Sequence, residues 1–193
     1  MKIYPHLRIL WGALTVSAVL NLTALCNSML VLLIANVLNL LCYCVIAYVL
    51  YRLSDESQLL SRAFPAQLLS IALIGLALVV TQLAHGNVTL ENFMALLSMA
   101  GSVAGLLSEY YLYWGLDERI IPHAYNYPAR RIRWCLYAPL LGAFVASTLM
   151  LTGQAAPYYL GVAIQLGTQV VPLVLLWQYM RAVQAREDDP LTF

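Results

Sequence analysis

The chain has 193 residues, of which 62% are hydrophobic and only 10% are charged, and its formal net charge is +1. This composition lies outside the range of soluble globular domains and predicts an integral membrane protein. A near-neutral balance also argues against nucleic acid as a partner, because nucleic-acid recognition usually needs a basic face. Membrane-crossing helices need roughly 20 residues each, so they would use nearly the whole length as one domain over 1–193.

Six apolar segments follow one another along the chain. We predict spans at 7–25, 29–51, 61–83, 92–114, 133–152 and 158–180. These runs are too long and too evenly apolar for barrel strands, so the predicted fold is an all-α bundle of six transmembrane helices. The connections after the first, third and fifth spans are short, which predicts three antiparallel helical hairpins. The first span is predicted to be retained, because Leu25 before Cys26 does not suit a lipoprotein cleavage site.

The positions of the Lys and Arg residues predict the topology of the chain in the membrane. Seven of the ten Lys and Arg residues precede the first span, follow the last, or lie between the second and third or the fourth and fifth. The other three, Arg8, Arg62 and Arg133, lie on the same side, within the first two residues of the first, third and fifth spans. Cationic loops resist translocation, so this distribution predicts cytoplasmic N- and C-termini in a plasma membrane. The three opposite connections contain no Lys or Arg.

Two stretches of the sequence resemble each other. The stretch Tyr48–Tyr51 is followed by Asp55 and Glu56, and Tyr110–Tyr113 is followed by Asp117 and Glu118. Two explanations stay open. Duplicated pairs of spans would insert in parallel and give a pseudo-threefold axis along the membrane normal. Tyrosines near charged loops also arise from the aromatic belt of any membrane protein.

Small and polar residues form stripes on the second, fourth and sixth spans. On the fourth span, Ser98, Ser102, Gly105, Glu109 and Tyr113 are spaced by three or four residues and share one face. Polar side chains are costly against lipid, so these faces are predicted to turn inward. The candidate ligand-binding residues on the three stripes are Asn36, Asn39, Tyr43, Ser102, Glu109, Tyr113, Gln165 and Thr168. The alternative is plain helix packing through small residues and interhelical amides.

Glu109 is the only acidic residue placed inside a predicted span. At about 1.5 Å per residue, it lies roughly 25 Å along the helix from Asn92, near the cytoplasmic boundary. It could extend its carboxylate to that surface. Alternatively, the carboxyl group carries a proton or binds a cationic solute among tyrosines.

The sequence contains no recognisable enzyme or metal motif. Its three histidines, His6, His85 and His123, fall in tails and loops, which leaves an intramembrane serine without a histidine base. Cys42 and Cys44 project from opposite sides of a helix. We therefore expect no enzymatic activity, no cofactor and no metal site.

The predicted function is binding or translocation of a small solute or ion through a site between the second, fourth and sixth helices. The alternative is an interaction protein, namely a membrane subunit, an oligomeric scaffold or an immunity factor. The expected partners are membrane lipids, a small-molecule or cationic substrate, and a membrane partner subunit or a second copy of the chain.

The size and predicted layout are similar to those of the substrate-binding subunits of energy-coupling-factor vitamin importers. Ala13-x-x-x-Ser17 in the first span is a loose version of their small-residue docking pattern. The resemblance implies a vitamin-binding bundle with a helical docking face. The very short turn after the first span departs from the family, whose substrate lid is a substantial outer loop.

Overall fold

The computed structural model describes residues 2–22, 29–84, 87–123, 127–151 and 155–188, and within these ranges the secondary structure is entirely helical. The α-helices are α1 (Tyr4–Asn21), α2 (Met29–Leu53), α3 (Gln58–Ala84), α4 (Val88–His123), α5 (Trp134–Met150) and α6 (Ala155–Glu187). Short 3-10 helices cover Ser54–Glu56 and Arg131–Arg133. The prediction of an all-α chain with six helices is confirmed.

Five of these helices, α2 to α6, are long enough and apolar enough to cross a membrane. The 18-residue α1 is not among them. The predicted segments locate all six helices but misplace several ends. In particular, α4 and α6 continue well beyond 114 and 180. Hydropathy detects only the apolar part of a helix, whereas backbone hydrogen bonding continues into polar sequence.

Helix neighbours in sequence are also neighbours in space. The most extensive packing is between α3 and α4, followed by α5 on α6 and α1 on α2, and α6 also packs against α1. The Trp11 indole of α1 donates a hydrogen bond of 2.9 Å to the Leu173 carbonyl of α6. The predicted tight turns between paired helices, at 26–28, 85–90 and 153–157, fall wholly or partly outside the described residues, and 88–90 and 155–157 belong to α4 and α6. The hairpins and the threefold repeat therefore stay predictions.

Glycines permit the closest helix contacts. A Cβ atom on Gly101 of α4 would lie 2.8 Å from Ile74 Cγ1 of α3, and one on Gly161 of α6 would lie 2.9 Å from the Ala146 carbonyl oxygen of α5. Real Cβ atoms do not tolerate such distances, so each position needs a residue without a side chain. Small residues thus serve packing between α3 and α4 and between α5 and α6.

Polar contacts join the cation-bearing segments at one end of the bundle, which we call the cationic end (residues 2–8, 52–62, 117–123, 127–133 and 181–188). The Glu187 carboxylate accepts the Ile3 backbone N–H at 2.6 Å and caps α1. Arg119 of α4 forms an ion pair of 2.5 Å with Glu56. The largest fully buried aliphatic side chains lie in this half of the bundle: Leu7, Leu10, Leu50, Leu53, Leu60, Leu116, Ile132 and Leu176.

Asp117 organises the chain that follows α4. Its buried carboxylate accepts the Arg130 backbone N–H at 2.7 Å and the Arg133 Nε–H at 2.6 Å. Arg130 adopts a left-handed conformation with φ of 65°. Nearby, the buried Tyr127 hydroxyl donates a hydrogen bond to the Leu175 carbonyl. Burial raises the pKa of the Tyr127 phenol above its ordinary value, so it remains a neutral donor at physiological pH.

Candidate binding cavity

A cavity of ≈ 410 Å³ lies among the helices. Each of the six helices contributes to its lining, whereas the sequence predicted a site between the second, fourth and sixth alone. Its wall extends from Asn21, the last residue of α1, to Cys135 near the start of α5. A cavity of this size falls within the range of small-molecule sites.

The cavity exists because small residues line much of its wall. Ser70 of α3 and Gly105 of α4 face each other, since a Cβ on Gly105 would lie 3.2 Å from Ser70 Oγ. Ser70 donates its hydroxyl hydrogen to the Gly101 carbonyl at 2.8 Å, and Ser108 donates to the Ala63 carbonyl at 3.1 Å. These serines therefore join α3 to α4 and keep the wall free of bulky side chains.

Glu109 is the only cavity-lining residue with a formal charge among those the structure describes. It is partly buried on α4, and no hydrogen bond or ion pair to its carboxylate is formed within the described ranges. Tyr43, Tyr113 and Cys135 lie within electrostatic range of it. An uncompensated carboxylate is costly in an apolar bundle, so a partner inside the cavity would stabilise it.

Other polar groups around the cavity also have no partner among the residues that the structure describes. Gln67 of α3 is only 6% exposed, yet neither its amide nor that of Gln169 of α6 forms a hydrogen bond with any described residue. The hydroxyl groups of Tyr43 and Tyr113 likewise form no hydrogen bond with any described residue. Buried polar groups are normally satisfied, so unpaired donors and acceptors converging from four helices are typical of a ligand site.

The structure brings four of the eight predicted site residues to this cavity. Tyr43, Ser102, Glu109 and Tyr113 line it. Asn39 lies behind the wall, where its Oδ1 accepts the Ser17 hydroxyl at 2.5 Å and its Nδ2 donates to Asn21 Oδ1 at 3.0 Å. It thus orients two α1 side chains that line the cavity.

The other three predicted residues lie elsewhere. Thr168 donates its hydroxyl hydrogen to the Ile164 carbonyl of its own helix at 3.0 Å and packs against Gly142 of α5. Asn36 and Gln165 are exposed on the surface of the bundle and do not line the cavity.

Sequence reasoning missed three cavity-lining amides, those of Asn21, Gln67 and Gln169. Gln67 and Ser70 are three residues apart on α3, so the spacing rule applied to the even helices would have found them. Gln169 follows Thr168, and one step along a helix turns the side chain by about 100°. Of the stripe predicted on α6, Pro172 lines the cavity, whereas Gln165 and Thr168 do not.

The described residues contain no group of three or more His, Cys, Asp and Glu side chains placed to hold a metal ion. Neither a protein-family model, a curated protein nor a solved structure matches this chain. The resemblance in layout to vitamin-importer subunits thus gains no support from these comparisons. Moreover, Ala13 and Ser17 are buried at 9% and 7% exposure, which leaves that pattern inside the bundle and not on a docking face.

Proposed function

We propose that this chain binds or translocates a small solute through its central cavity, as a six-span plasma-membrane protein with cytoplasmic termini. The observation that supports binding is the convergence of unpaired polar groups from α2, α3, α4 and α6 on one cavity. A scaffold whose helices only pack together has no need of a cavity lined by a lone carboxylate and two free amides.

The orientation follows from the cationic end, which would face the cytoplasm, and from the five apolar helices. In this arrangement α1 also crosses the membrane and brings the number of spans to six. It packs against both α2 and α6 and buries Leu7, Leu10, Ala13 and Ser17.

Ligand-dependent stabilisation tests this function. The purified protein is screened by thermal unfolding in detergent against metabolites and ions of all charge classes. A ligand held only by the native state adds RT ln(1 + [L]/Kd), which is roughly 2.7 kcal/mol at a hundredfold excess over Kd. We expect at least one compound to raise the melting temperature in a saturable way.

A matched pair of variants assigns the binding to the cavity. Ser102→Leu places a bulkier side chain in the cavity, whereas Ser98→Leu makes the same change one turn away, at an exposed position that does not line it. We expect Ser102→Leu to abolish the stabilisation and Ser98→Leu to retain it. Equal stabilisation of both variants, or no stabilising compound for the wild-type protein, would refute the cavity as a binding site.

A second candidate function is assembly with a membrane partner or a second copy of the chain, as a membrane subunit, an oligomeric scaffold or an immunity factor. The observation that favours it is the exposure of two amides, Asn36 and Gln165, on apolar helices. An amide facing lipid is costly, and interhelical hydrogen bonding relieves the cost by about 1 kcal/mol.

Single-cysteine variants at these positions test the assembly. If copies of the chain associate through α2 or α6, Asn36→Cys or Gln165→Cys should crosslink two chains in native membranes, and Asn36→Leu or Gln165→Leu should weaken the association. Crosslinks that are equally frequent at the exposed residue Leu41 would indicate random collision only.

A further inference from the structure

We propose that the solute bound in the cavity is a monovalent organic cation, with Glu109 as its counter-ion and Tyr43 and Tyr113 as aromatic neighbours. This inference rests on the proposed solute-binding function and names the chemical class of the solute.

The first argument is charge. The described cavity lining contains one carboxylate and no Lys, Arg or His, so an ionised Glu109 gives the site a single negative charge. At the cationic end, by contrast, Asp117 and Glu56 form ion pairs, and Glu187 caps α1. One positive charge on the ligand would balance Glu109, whereas an anionic ligand would place two like charges in a weakly screened site.

The second argument is the aromatic surroundings. Tyr43 of α2 and Tyr113 of α4 both line the cavity and lie within electrostatic range of the carboxylate. Tyr113 is four residues after Glu109, so the two side chains share a helix face. The negative faces of aromatic rings attract cations, and the attraction grows when water is excluded. Rings beside a carboxylate favour a cation with apolar substituents over a small hydrated ion.

The third argument is size and polarity. A space of ≈ 410 Å³ exceeds what a single inorganic ion needs and suits a small organic molecule. The Gln67 and Gln169 amides offer both donors and acceptors away from the charge. Much of the remaining lining is apolar, including Leu14, Ile46, Ile74 and Leu112. The chemistry fits an amphipathic cation with one charged end.

Three probes of similar size and different charge test the class of solute. Binding to the purified wild-type protein is measured by calorimetry and thermal unfolding with benzyltrimethylammonium, neutral N,N-dimethylbenzamide and anionic toluenesulfonate. We expect benzyltrimethylammonium to bind at least about tenfold more tightly than either of the other probes, since the ion pair and the ring contacts are available only to the cation.

A matched pair of charge variants assigns the selectivity to Glu109. Glu109→Gln should weaken benzyltrimethylammonium binding by roughly thirtyfold or more, because one partner of a desolvated charge pair is lost. Its affinity for N,N-dimethylbenzamide should change by less than about twofold. The control Glu91→Gln makes the same change on the first turn of the same helix, outside the cavity, and should bind the cation normally.

Ring variants test the aromatic contribution. Tyr43→Leu should weaken cation binding by roughly threefold to thirtyfold, and Tyr43→Phe, which keeps a ring, should weaken it less. The conservative variant Glu109→Asp keeps the charge and should keep the preference for the cation. If Glu109→Gln does not fold, the comparison of the three probes on the wild-type protein still tests the class of solute. That comparison of probes does not depend on the folding of any variant.

The failures of the two proposals are distinguishable. Preferential binding of N,N-dimethylbenzamide or toluenesulfonate that Ser102→Leu abolishes would overturn the cationic solute and leave solute binding intact. Cation binding that is equal in wild type and Glu109→Gln would overturn the role of Glu109 as counter-ion. If no probe and no compound in the wider screen stabilises the wild-type protein, both proposals fail.

Discussion

At the scale of single residues, Glu109 differs from the other acidic side chains of α4 beyond its first turn. Asp117 binds Arg133, and Glu118 accepts the Ser57 hydroxyl at 3.1 Å. Glu109 has no such partner among the described residues, although it is partly buried. A carboxylate without an internal partner contributes nothing evident to folding, which is why we assign it to a ligand.

Asp117 gives the first prediction. Asp117→Asn removes the charge that holds Arg133 and weakens the contact to the Arg130 N–H, so the free energy of unfolding in detergent should fall by about 1–3 kcal/mol. Because the Arg133 side chain is 28% exposed, we place the loss below that of a fully buried ion pair. The matched control Asp55→Asn, at an exposed residue, should stay within about 0.5 kcal/mol of wild type. Equal losses in both variants would contradict the structural role of Asp117.

Residue spacing in the sequence was sufficient to single out Glu109, Tyr113 and Ser102, because one helix face follows directly from steps of three and four. Residue spacing could not show which amide side chains lie next to that face of α4. Asn39 satisfies Ser17 and Asn21 across the α1–α2 contact, and such pairing depends on the relative rotation of two helices. The spacing of residues within one helix gives no information about its rotation relative to a neighbouring helix.

At the scale of elements, the existence of all six helices followed from hydropathy, but their ends and packing faces did not. The extensions of α4 and α6 are polar, and tertiary contacts such as Arg119 with Glu56 hold them at the cationic end. The ligand-binding residue on α6 was also misplaced by one position, since Gln169 and not Thr168 lines the cavity. The helices have no strongly one-sided apolar face, so the pattern gives little information on rotation.

Two glycines of α6 give the second prediction. Gly161→Ala would bring a methyl group to 2.9 Å from the Ala146 carbonyl oxygen and 3.3 Å from Met150 Cγ, so it should lower the free energy of unfolding by about 1–3 kcal/mol. Gly167→Ala has no atom within 4 Å of the added methyl group and should be neutral or stabilise by up to about 1 kcal/mol. Thermal unfolding of both variants in detergent measures the difference. A Gly161→Ala protein as stable as wild type would refute the close α5–α6 packing.

At the scale of the whole molecule, one end of the bundle is held by charges and the rest by helix packing. Glu187 joins the end of α6 to the start of α1, and the contacts of Asp117 and Arg119 join α4 to the segments before α3 and α5. In this arrangement the cations serve both the fold and the predicted threading. The lining of the cavity extends from Cys135, near this end, to Asn21 at the far end of α1.

The third prediction concerns this orientation. In a background with all four cysteines replaced by alanine, we place one cysteine at Gln154, in the connection between α5 and α6 outside the described residues, or at Ala129, which is exposed at the cationic end. An impermeant thiol reagent added to intact cells should label the cysteine at 154 and not the one at 129, because cationic segments remain in the cytoplasm. Permeabilised cells provide the control, since both cysteines should then react. Labelling at 129 in intact cells would contradict the predicted orientation.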